Sequence, residues 1–96
     1  DIDSAAVAHL YTIFNNIKEQ RYVSKYIAEL ESVYASLDKD FTYNAYANDI
    51  AWNLALAYIK DDQIDKAIAV LEKLETDNPD TPIAAKASKL KKKLQE

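Results

Sequence analysis

Not one of the 96 residues is glycine, where average usage of roughly 7% would supply several. Glycine enters left-handed backbone conformations without steric cost. Tight β-hairpins and phosphate-cradling loops both lean on that freedom. Hairpin-rich β folds and nucleotide-binding loops are therefore disfavoured from the outset. Only two prolines occur, Pro79 and Pro82, and alanine and lysine are the two commonest residues, both strong helix formers. The expectation is an all-α protein.

The length fits one domain with a single core. Hydrophobic residues at 49% and charged residues at 29% describe a globular chain rather than a disordered one. With no cysteine there is no disulfide and no thiolate for metal binding or nucleophilic attack. No apolar run approaches the roughly 18 residues of a membrane span, and no signal peptide is visible. A chain that starts at Asp1 and holds no methionine reads as an excised domain or a processed chain, with any anchor or address outside it. Net charge is −4, but residues 1–80 carry −8 and residues 81–96 carry +4. An acidic body argues against nucleic acid as the main partner, because phosphate contacts need distributed Lys and Arg.

Five helical stretches can be followed. Asp3-Ser4 starts the first, with Ala6, Leu10, Ile13, Phe14 and Ile17 at helical spacing. After a break near Glu19–Tyr22, Val23, Tyr26, Ile27, Leu30, Val33, Tyr34 and Leu37 mark the second, which ends before Asp38-Lys39-Asp40. Thr42 can cap a third carrying Tyr43, Tyr46, Ile50, Ala51, Leu54, Ala55 and Tyr58. The fourth holds Ile64, Ala67, Ile68, Leu71 and Leu74. Thr81-Pro82, an N-cap followed by proline at the first helical position, opens the fifth with Ile83, Ala87, Leu90 and Leu94. The halves repeat: Ser24–Glu31 (SKYIAELE) matches Asp65–Glu72 (DKAIAVLE) at a shift of 41, which also lays Leu10, Ile13, Phe14 and Ile17 over Ala51, Leu54, Ala55 and Tyr58. Two tandem helical hairpins, at about residues 4–37 and 42–77, are expected, followed by a helix at about 82–95.

Residues 48–79 resemble a tetratricopeptide repeat. The family's large, small and aromatic positions on its first helix are met by Leu54, Ala55 and Tyr58. Its second helix is matched by Ala67, Leu71 and Leu74, and its closing proline by Pro79. Small Ala55 and Ala67 let two helices approach while Tyr58 and Leu71 fill the space beside them. Asp62 stands where the family often has glycine, and aspartate tolerates the left-handed conformation better than most residues. The first unit departs from the pattern: Phe14 and Tyr26 fall on small positions, Arg21 lies in the turn, Asp38 replaces the proline, and the link to the second unit is longer. The run from Trp52 to Tyr58, with Asn78–Pro82 and the lysine-rich helix beyond, is more loosely similar to C-terminal repeat domains of bacterial envelope proteins. That likeness points to the cell envelope, with the cytoplasm as the other compartment.

The resemblance implies an α–α superhelix whose first helices line a groove for a protein or peptide partner. Carried over, the groove would present Tyr11 and Asn15 from the first unit and Trp52, Asn53 and Leu56 from the second. An aromatic ring supplies contact area and carboxamides bond a partner's backbone. Trp52, Leu56 and Ile59 have a second reading, as packing between helices of the domain. Asn15 and Asn53 also match two asparagines of the clamp with which some relatives hold acidic C-terminal peptides. Tyr11 replaces its first lysine and a third unit is missing, which disfavours that receptor type. Catalysis has little support: His9 is the only histidine and reads as boundary packing, and Asp61-Asp62 reads as a solvated turn. Lys86, Lys89, Lys91, Lys92 and Lys93 suit a helix C-terminus and a solvated capping face. The expected function is a non-catalytic interaction or assembly module without cofactor, metal, nucleic acid or membrane insertion; the alternative is self-association as a homo-oligomer.

Overall fold

The computed structural model describes residues 4–39 and 41–96; Asp3, the expected first cap, and Asp40 lie outside them. Among the described residues the fold is all-helical, with five α-helices and no strand. They are α1 (Ser4–Lys18), α2 (Val23–Ser36), α3 (Ala47–Lys60), α4 (Ile64–Asp77) and α5 (Pro82–Leu94), and Phe41–Tyr46 winds as a 3-10 segment before α3. No described helix is long and apolar enough to cross a membrane.

The α-helix expected from Thr42 begins instead at Ala47. Tyr43 and Tyr46 have φ of −106° and −110°, with ψ near 16° and 12°, outside the α-helical range. Phe-Thr-Tyr carries weak helix formers, and this stretch provides the extra length between the two units.

α3 is the central element. Ile50, Ala51, Leu54, Ala55, Ala57 and Tyr58 are all buried, and α3 packs closely on α2 and α4. Three of those six are alanines, and Ala67 on α4 is fully buried as well; α5 then lies along α4 with Ala87 buried. Small side chains let helix backbones approach. α1 docks differently. It buries Leu10, Ile13, Phe14 and Ile17, larger groups that hold its backbone further from α2 and α3. Val70 joins the core at 7% exposure, whereas the periodicity had selected Ile68, which is half-buried. α4 is flanked by both α3 and α5, so its apolar arc is wider than a single stripe.

Each helix end has a local cause. Asp62 has φ of 60°, and the turn closes with Gln63 N–H donating to Tyr58 O at 2.7 Å and Asp62 N–H to Ile59 O at 3.1 Å, a Schellman closure. The α1–α2 turn has the same closure, with Arg21 N–H donating to Asn16 O at 2.8 Å and Gln20 N–H to Ile17 O at 3.0 Å. Its left-handed residues are Gln20 and Tyr22, at 60° and 56°. The first turn therefore holds one more residue than the second, and the repeat shift of 41 in α2 and α4 becomes 42 at the ends of α1 and α3. Asp80, at φ 61°, turns the chain into α5, where Thr81 Oγ1 accepts from Ala84 N–H at 3.3 Å and Pro82 takes the first turn.

Polar side chains tie the elements together. The Tyr58 hydroxyl on α3 donates to Glu31 Oε2 on α2 through a short hydrogen bond. His9 Nε2 and Glu29 Oε1, 2.9 Å apart, join α1 to α2, so the exposed imidazole is an inter-helix contact rather than a packing group. Lys91 Nζ reaches Glu75 Oε1 at 2.7 Å between α5 and α4. Asn48 and Asn78 exchange carboxamide hydrogen bonds of 3.1 and 3.2 Å, which fasten the start of α3 to the end of α4.

Candidate functional site

The expected groove residues lie on α1 and α3. Tyr11 is 47% exposed and stands edge-on to Phe14 at 5.7 Å and to Tyr46 at 6.3 Å. Phe14 is core, so the lower ring anchors an upper ring that remains open to solvent. Asn15, one turn on, is exposed. Trp52, Asn53 and Leu56 on α3 are half-buried. Asn53 Nδ2 donates to Asp49 O at 2.8 Å, which leaves its carboxamide oxygen as an acceptor.

Two neighbours escaped the sequence reading. Tyr46, just before α3, is where Tyr11 meets the second unit. Lys86 on α5 lies over the Trp52 indole, Nζ to ring centroid 4.6 Å, within cation–π range. The basic helix thus closes over part of the expected anchor. Its spacing in the sequence suggested a solvated face, and nothing local to Lys86 points at an indole 34 positions earlier. Trp52, Leu56 and Ile59 are all partly buried and pack against the core.

A separate concavity opens at the start of α3. It is about 420 Å³, between the C-terminal ends of α2 and α4 and the start of α3. Leu37, Ala47, Ala51 and Leu74 give it an apolar floor, and carboxamides, carboxylates, Lys73 and Tyr34 form its rim. Lys73 Nζ bonds Asp77 Oδ2 at 2.9 Å, and this bond holds the ammonium above the usual lysine range. Burial pushes the Tyr34 phenol up; Lys73 opposes that shift, and Asp77 and Asp38 add to it. Asn44, Asn48 and Asn78 line the cleft together, a convergence that depends on the hairpin closing and that their positions in the sequence do not signal.

Comparison with known proteins returned no family model, no curated protein and no solved structure that matches this chain.

Proposed function

We propose that this chain is a non-catalytic, tetratricopeptide-like interaction module that binds a protein or peptide partner along the face carrying Tyr11, Asn15, Trp52, Asn53 and Leu56. The observation that carries the reading is Tyr11: a large aromatic side chain, 47% exposed, held edge-on against Phe14 and Tyr46. A ring fixed by its neighbours offers contact area with little freedom left to lose on binding, as binding hot spots do. Asn15, one turn beyond Tyr11, and the Asn53 oxygen on α3 supply polar groups for the partner. Trp52 serves as an anchor only where Lys86 swings off its ring, so an acidic group on the partner would both draw Lys86 away and uncover the indole.

The test is a binding titration with a partner captured by the intact chain. Tyr11→Ala should weaken that complex by about 2 kcal/mol while the helical circular-dichroism signal stays unchanged, and Trp52 fluorescence should shift on binding. A partner that binds the Tyr11→Ala chain as tightly as the original would defeat this reading.

Self-association is the second reading, favoured by Tyr22 and Phe41, 69% and 73% exposed near the two ends of α2. Aromatic residues are enriched at interfaces.

A further inference from the structure

We infer that the cleft between α2, α3 and α4 is a second binding site, which takes a peptide through an arginine or lysine side chain laid over Leu37 and Leu74 with its cation beside Asp38. The cleft lies at the start of α3, where Asn48 stands one turn before Trp52, and neither Trp52 nor Tyr11 lines it.

Charge selects a cation. Two carboxylates, Asp38 and Asp77, line the cleft against one ammonium, Lys73. Lys73 is already bonded to Asp77 at 2.9 Å, and Asp38 makes no ion pair among the described residues. Asp38 lines the same cleft as Tyr34 and Lys73 and is exposed. Shape selects a long aliphatic stem. Ala51 and Leu74 are buried and Leu37 is half-buried, so the floor is apolar while the charge stands at the rim. Arginine and lysine have that division, an apolar stem with a charged head.

Hydrogen-bonding capacity selects a peptide over a free amine. A carboxamide has two donors and two acceptor sites. Asn78 Nδ2 spends both donors, on Asn48 Oδ1 and on Leu74 O at 3.0 Å. Asn48 uses one donor and one acceptor site on Asn78, so one of each remains. Asn44, also on the rim, makes no side-chain hydrogen bond among the described residues. The rim thus offers unspent donors and acceptors side by side, the complement of a peptide backbone.

The experiment is a nuclear magnetic resonance titration of the full chain with three probes: acetyl-leucyl-arginine amide, its neutral citrulline counterpart, and free agmatine. The arginine peptide should shift the side-chain amides of Asn44, Asn48 and Asn78 saturably. The citrulline peptide should bind at least about threefold more weakly, and Asp38→Asn should abolish that preference, since exposed ion pairs carry free energies of this order. Asp38 is exposed, and a circular-dichroism spectrum confirms that the variant is folded. Tyr11→Ala should leave the titration unchanged, which separates this site from the groove. Equal affinity for the arginine and citrulline peptides, or shifts confined to other residues, would overturn the site; agmatine binding as tightly as the peptide would overturn its assignment to a peptide.

Discussion

Tyr58 shows how much a single side chain can hold. Its ring is 6% exposed in the core, and its hydroxyl crosses from α3 to the Glu31 carboxylate on α2. Burial first, then that hydrogen bond, raises the phenol well above the ordinary tyrosine range. A group whose folded pKa lies above its unfolded value stabilises the fold fully below the unfolded value and loses that contribution as pH rises beyond it. The window opens at about pH 10, the unfolded tyrosine value. Stability of the native chain should therefore fall as pH climbs through that region. Tyr58→Phe should cost about 1–2 kcal/mol at neutral pH by leaving Glu31 without its donor, and should flatten the alkaline decline. Urea denaturation at neutral and alkaline pH checks both, and an unchanged alkaline slope in the variant would remove Tyr58 as its source. The Tyr58 position was legible in the sequence, as was Glu31 through its match with Glu72. Their bond was not, because the two residues stand 27 positions apart.

At the scale of the element, local chemistry explains what could be read and what could not. α5 announced its start through Thr81-Pro82, and Asp62 announced the turn between α3 and α4; both act over three or four residues. The α1–α2 turn gave no such signal, since glutamine and tyrosine are not residues that advertise a left-handed backbone. Its extra residue therefore stayed hidden inside a repeat that reads cleanly on either side. The 3-10 winding of Phe41–Tyr46 was hidden for a related reason, because aromatic spacing alone does not distinguish it from the α-helix that follows. Where α3 meets α4, Ala67 is fully buried, and Ala67→Leu should overpack that contact at a cost of about 1–3 kcal/mol. The same substitution at Ala85, on the exposed side of α5, should stay within about 0.5 kcal/mol. Thermal melts of the two variants make the comparison; equal melting temperatures would show that α3 and α4 do not approach through Ala67.

Across the whole molecule, charge and covering go together. The chain carries −4, and removing residues 81–96 would leave −8 on the remainder. It would also strip Ile83, Ala87, Leu90 and Leu94 from the core cluster and leave Glu75 without Lys91. Exposed apolar surface on a helical array seeks a neighbour. Light scattering of the chain shortened to residue 80 should show association or aggregation at concentrations where the full chain has a single mass. A stable, helical monomer would mean that α5 is not needed to cover α4. The candidate groove was the least legible part at this scale, because the lysine over Trp52 arrives from α5 and the aromatic neighbour of Tyr11 from the 3-10 segment.

Among the described residues, four hold positive φ without being glycine: Gln20, Tyr22, Asp62 and Asp80. Each left-handed L-residue carries a penalty of roughly 1 kcal/mol. The other side of that balance lies in the denatured chain. A β-carbon at every position narrows the conformations open to the unfolded backbone, so the chain has less disorder to surrender when it folds. The same omission that strains the turns thus impoverishes the competing ensemble at every residue, helices included. Among the described residues the strain sits at four sites, while the entropic restriction is spread along the entire chain.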